Sequence, residues 1–145
     1  WQDEAKKRHK ILQCHWSTPI HHAGHVYACS GRHIADAELR CIEWKTGEIK
    51  WSQPGLGRGS LLLVEGHFFC LLENGSLFVF RASPEAFQAG PEIPLVGDGT
   101  GPNAEPERLV RYPAWTAPVL AHGMLYVRGP NRLVCLELTR GEATP

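Results

Sequence analysis

Apolar and polar residues alternate through most of the chain, and the alternation is broken by glycine. Leu39, Cys41 and Glu43 point one way while Arg40, Ile42 and Trp44 point the other, the period of two that marks an extended strand. Lys45-Thr46-Gly47 then reads as a turn, because Gly47 accepts positive φ without a steric penalty. Glu48-Ile49-Lys50-Trp51 resumes the alternation with Ile49 and Trp51 on one face, so Ala37 to Trp51 is expected to form a hairpin.

The same layout recurs. Gly24, Gly66 and Gly123 each stand eight residues after Trp16, Arg58 and Trp115, and each is followed at its third position by an aromatic residue: Tyr27, Phe69 and Tyr126. Leu39-Arg40-Cys41-Ile42, Leu77-Phe78-Val79-Phe80 and Leu133-Val134-Cys135-Leu136 then supply a matching third strand. Each unit reads as strand, glycine turn, strand, second turn, strand, with a fourth strand visible in the first unit alone. Gly24 and Gly66 are 42 residues apart, inside the roughly 40 to 50 residues of a four-stranded propeller blade. Gly66 and Gly123 are 57 apart, and the excess falls in 89–113, a stretch rich in proline and glycine.

The expected fold is therefore all-β: a partial β-propeller of about three blades of antiparallel four-stranded sheets. Residues 1–15 read as a tail or the remnant of a preceding blade, with Lys10 to Cys14 as its last strand. The first blade covers 16–54, the second 55–113 including the excursion 89–113, and the last, incomplete blade with a tail 114–145. Within the excursion Glu92 to Val96 reads as a short outer strand. Ser83-Pro84-Glu85-Ala86-Phe87-Gln88 reads as one helical turn, with Ser83 capping and Pro84 at the first helical position. About three blades would leave sheets uncovered at both ends of the arc, and complete propellers have about four to eight. The chain is accordingly expected to be part of a larger ring, with the remaining blades as its first partners.

Composition narrows the functional classes. Lys plus Arg and Asp plus Glu are both 15, so no single-sign surface attracts nucleic acid or anionic membrane. No apolar run is long enough to span a bilayer. Cys14, Cys29, Cys41, Cys70 and Cys135 are widely spaced without a CxxC pair and read as small core hydrophobes, with one disulfide as the competing reading.

Several stretches resemble chemistry without completing it. Cys14, His15, His21, His22, His25, Cys29 and His33 crowd one region, but His21 and His22 face opposite sides of a strand and no CxxC or HxxxH brackets them, so no metal site is expected. Gly55-Leu56-Gly57-Arg58-Gly59 resembles a phosphate loop, yet it leads into the strand Ser60 to Val64 rather than a helix and lacks GK[ST]. No nucleophile elbow and no paired carboxylates appear, so no catalytic residue is assigned. Trp16, Arg58 and Trp115 hold the same place in their units, before the innermost strand. In a propeller such positions lie near one rim of the central channel, where aromatic and arginine side chains serve binding of a protein partner or small ligand.

Gly24-His25-Val26-Tyr27, Leu39 to Trp44, Lys45-Thr46-Gly47-Glu48 and Lys50-Trp51 together resemble the blade repeat of PQQ-like (quinoprotein alcohol dehydrogenase-like) β-propellers. Gly57 to Leu62, Glu73 to Leu77 and Ser83-Pro84-Glu85 are similar to the C-terminal blades of bacterial PQQ-binding-like repeat proteins. The resemblance spans roughly residues 16 to 139 and is most specific at Thr46, Gly47 and Trp51, which it implies act in docking one blade on the next. It also implies a periplasmic or otherwise extracytoplasmic location. Dehydrogenases of the family hold PQQ and calcium over the propeller axis, use a catalytic aspartate and often stack the cofactor on a vicinal disulfide. This chain has no adjacent cysteines, and Asp36 and Asp98 lie in turn-rich segments. The expected function is a non-catalytic binding scaffold; the alternative is the C-terminal part of a PQQ-dependent dehydrogenase.

Overall fold

In the computed structural model the residues that can be described are 1–3, 10–97, 107–130 and 132–138. They form three antiparallel sheets and no α-helix; a single 3-10 turn covers Ile34–Asp36. Sheet I is a meander of β1 (Ile20–His22), β2 (His25–Ser30), β3 (Glu38–Glu43) and β4 (Ile49–Pro54). Sheet II repeats it with β5 (Gly59–Val64), β6 (His67–Leu72), β7 (Leu77–Arg81) and β8 (Ala89–Ile93). Sheet III has β9 (Val119–Ala121), β10 (Met124–Arg128) and β11 (Leu133–Glu137), and no fourth strand among the described residues. The arrangement is that of successive propeller-like sheets.

The three aligned glycines share one backbone device. Ala23-Gly24, Glu65-Gly66 and His122-Gly123 are two-residue hairpin loops in which both residues have positive φ, near 50° and then near 77°. That is the turn whose twist matches the strands it joins. The residue just beyond each third strand then donates its amide to the glycine carbonyl: Trp44 to Gly24 at 3.0 Å, Ala82 to Gly66 at 2.8 Å and Leu138 to Gly123 at 2.8 Å.

Period-two alternation divides each sheet into a front face, toward the next sheet, and a back face. Tyr27, Cys29, Leu39 and Cys41 on the front of sheet I pack against Leu61, Phe68, Cys70 and Phe80 on the back of sheet II. Leu62, Phe69, Leu71 and Leu77 on the front of sheet II pack against Leu125, Val127 and Val134 on the back of sheet III. Sheet II is thus buried on both faces, which is why Phe68-Phe69-Cys70-Leu71-Leu72 reads as an unbroken apolar run.

Four local expectations need revision. Residues 10–14 form no strand; they run across the back of sheet I, where Arg40 donates to the carbonyls of Lys10 and Ile11 at 2.7 and 2.8 Å and Gln13 donates its amide to Ser30 Oγ at 2.9 Å. Val26, Ala28 and Ile42 make the back of sheet I apolar and buried, and the segment lies across that face where Arg40 and Ser30 hold it. Ser83 to Gln88 bends without helix, because Trp51 takes the Ser83 carbonyl that a first turn would use. The fourth strand of sheet II exists and starts earlier than Glu92, at Ala89, with a register shift opposite Phe78 and Phe80. The excursion is also less detached than its composition suggests: Leu95 and Val110 are buried in the cluster between sheets II and III, tied by the Leu109 amide to the Leu95 carbonyl at 2.8 Å. Asp98 lies outside the described residues.

Candidate functional site

The hairpin register of sheet II brings the first charged pair together. Gly59 lies opposite Leu72, so one step outward Arg58 lies opposite Glu73, and the Glu73 amide donates to the Arg58 carbonyl at 2.8 Å. The side chains close the same pair from two points, Nε to Oε1 at 3.0 Å and Nη2 to Oε2 at 2.8 Å, with only 4% of the Glu73 side chain exposed. The third guanidinium nitrogen, Nη1, donates to the Arg32 carbonyl at 3.0 Å. Arg58 therefore ties the loop after β2 to the end of β6.

The third unit joins at the same carboxylate. Trp115 Nε1 donates to Glu73 Oε2 at 3.3 Å, the Ala114 amide donates to the Glu73 carbonyl at 2.9 Å, and Ser60 Oγ donates to the Trp115 carbonyl at 3.3 Å. This approach depends on Gly75, whose φ is +92° and where a Cβ would run into the Val110 carbonyl. The first unit contributes Trp16, whose ring centroid is 6.2 Å from that of Trp115, and Tyr112 meets Trp115 edge to face at 6.5 Å. Trp16, Arg58 and Trp115 thus come together around Glu73 in one cluster.

Charge in the cluster is balanced. Burial works to raise the pKa of Glu73, but hydrogen bonds from Arg58 and Trp115 outweigh it and hold the carboxyl below its ordinary range. The same contact with Glu73 raises the pKa of Arg58. Both groups are ionised at neutral pH and neutralise each other, so Arg58 is committed to Glu73 rather than to an outside anion. What faces solvent is aromatic: Trp115 is 48% and Tyr112 54% exposed. The Trp16 ring is half-buried, and its Nε1 is shielded without a hydrogen-bond partner.

The residues expected to dock one blade on the next lie at the opposite edge of sheet I. Trp51 on β4 donates Nε1 to the Ser83 carbonyl of the second unit at 2.8 Å and packs among Tyr27, Phe80 and Phe87. Thr46 and Gly47 form the β3–β4 turn, where Thr46 Oγ1 accepts the Glu48 amide at 3.1 Å and Gly47 lies under the ring of Trp1. Trp1 in turn donates Nε1 to the Trp44 carbonyl at 2.8 Å.

Among the described residues no three of His, Cys, Asp and Glu gather as metal ligands, and Glu73, the carboxylate of the cluster, is committed to Arg58. All five cysteines are free thiols. Cys29 and Cys70 face each other between sheets I and II, the shared hydrogen bond lowering the pKa of Cys29 and, with burial, raising that of Cys70.

Glu73, Tyr112 and Arg32 are absent from the sequence-based set. Glu73 looks there like part of the Glu-Asn-Gly-Ser turn, although its place opposite Arg58 follows once the Glu65-Gly66 hairpin is counted outward. Tyr112 sits in a proline-flanked stretch with no periodic signal, and Arg32 contributes only its carbonyl, which no side-chain pattern marks.

No protein-family model matches the chain, and no curated protein matches its sequence.

Proposed function

We propose that this chain is a non-catalytic, PQQ-like propeller-repeat scaffold that binds a protein or small ligand where its three units meet. The reading is supported by one observation above others: Trp16, Arg58 and Trp115, equivalent in their units, share a single cluster with exposed aromatic surface. In it Arg58 and Glu73 are the clamp and the aromatics are the contact surface. A buried, doubly bonded ion pair fixes positions, whereas exposed Trp and Tyr offer a rigid apolar area with little entropy to lose on binding. A ligand suited to this surface is uncharged where it meets Trp115 and Tyr112 and presents a flat apolar face.

No observation favours the alternative, the C-terminal part of a PQQ-dependent dehydrogenase holding PQQ with calcium. Among the described residues no helix is long and apolar enough to cross a membrane.

A fragment screen read by the indole Nε1–H resonances of the five tryptophans tests the scaffold. Ligands are expected to shift Trp16 and Trp115 together and leave Trp44 unmoved, and Trp115→Ala is expected to abolish their binding without loss of the folded spectrum. Ligands that bind equally well to Trp115→Ala overturn the reading.

A further inference from the structure

The front faces of the three sheets carry the same cross-strand row, and among the described residues the copy on sheet III is the least covered. In sheet I the row is Ile20, Tyr27 and Cys41, covered by sheet II. In sheet II it is Leu62, Phe69 and Val79, whose first two members are packed toward sheet III. In sheet III it is Val119, Tyr126 and Cys135, paired in the same way on β9, β10 and β11. Here the row reaches solvent: Val119 is 55% exposed, Cys135 is exposed and Tyr126 is half-buried, while Leu133, two residues before Cys135 on the same face of β11, is 63% exposed. An apolar stripe that two earlier sheets bury has no packed sheet over it on the third among the described residues.

The other end of the stack is closed. Val26, Ala28 and Ile42 on the back of sheet I are buried, and residues 10–13 are fastened across that face by Arg40 and Ser30. A second copy therefore cannot add front to back, the arrangement that would propagate into a filament. Front to front, the two bare faces can meet about a two-fold axis, and the pairing is closed.

Charge placement favours that partner. Arg128 and Glu137 are both exposed on the front of sheet III and lie at its opposite ends, Arg128 beside Leu133 and Glu137 beside Met124. A two-fold axis lying in the face and running across the strands exchanges the ends, setting Arg128 of one copy toward Glu137 of the other. The face is self-complementary as well as apolar.

We infer that the front of sheet III is a homodimer surface, in which two copies of this chain pair front to front through Val119, Tyr126, Leu133 and Cys135 with Arg128 opposite Glu137. Three short strands make an interface below the standard size, so pairing is weak and concentration-dependent.

Sedimentation velocity of the 145-residue protein from about 10 μM to about 1 mM, the range suited to so small an interface, is expected to show reversible monomer–dimer exchange. Leu133→Asp, at a side chain that is 63% exposed, is expected to raise the dissociation constant by about tenfold or more. Arg128→Glu and Glu137→Arg are each expected to weaken pairing, and the double exchange to restore it. The inference is overturned by a chain that stays monomeric throughout, which would leave the face to a sheet of another polypeptide. It is also overturned by a dimer indifferent to Leu133→Asp and to both charge reversals.

Discussion

Arg58 and Glu73 face each other across the β5–β6 hairpin and close two hydrogen bonds in a site from which solvent is nearly excluded. Removing one partner strands the other. Arg58→Ala is expected to cost about 3 kcal/mol or more, because Glu73 would keep a buried charge that has lost its guanidinium partner and both of that partner's side-chain hydrogen bonds. Arg58→Ala combined with Glu73→Leu is expected to recover most of the loss. Urea unfolding of the four members of this cycle gives the coupling directly. Arg58→Lys is expected to rescue poorly, since an ammonium cannot occupy both carboxylate oxygens and the Arg32 carbonyl in one plane.

The same pair sets an acid limit. Glu73 is held below the ordinary carboxylate range in the folded protein, so its contribution to stability is fully present above the unfolded value, about 4.3. It is lost as pH falls through the lower folded value. Between about pH 5 and pH 3 the wild type is expected to lose stability more steeply than Glu73→Gln, as measured by denaturant midpoints across that range. Equal slopes would remove Glu73 from the acid response.

Trp51 spans two sheets, with its ring among Tyr27, Phe80 and Phe87 and its Nε1 on the Ser83 carbonyl. Trp51→Ala is expected to cost about 3 to 5 kcal/mol. Trp51→Phe keeps ring packing but drops the donor, and is expected to cost about 1 kcal/mol for that bond, plus a smaller packing loss. Thermal melts of the two variants separate the contributions.

Ala23, Glu65 and His122 occupy left-handed backbone at the first loop position of their hairpins, where Asn is better suited than any of the three. Replacing each by Asn is expected to stabilise by roughly 0.5 kcal/mol, measured singly and then together, the sum showing whether the three turns act independently.

Thiol labelling is expected to follow burial. Cys135 is exposed and should react first; Cys14, half-buried with its pKa pushed up to about 11 mainly by burial, should lag. Cys29, Cys41 and Cys70 should react only on unfolding.

Strand identity and hairpin positions were legible in the sequence because period two and the glycine spacing are local signals, strong at Leu39 to Ile42 and Leu133 to Leu136. Ala89 to Ile93 was not fully legible: its Gly-Pro content argues for a loop, and it becomes a strand because β7 offers an edge and a bulge accommodates the misfit. The segment 10–14 misled because Lys10 to Cys14 has a strand-like composition, while its position is decided by Arg40 and Ser30, which lie far along the chain. At the site, repeat position alone brought out Trp16, Arg58 and Trp115. Glu73, the atom set on which Arg58 and Trp115 converge, needed the pairing of β5 with β6.

The amide that closes each hairpin onto its glycine carbonyl, from Trp44, Ala82 and Leu138, belongs to the backbone and is indifferent to the side chain that carries it. A unit defined by such a bond can exchange nearly every letter and keep its outline. Kinship among the three units is then better measured by superposing main chains than by aligning text, and relatives of this protein are better sought by shape.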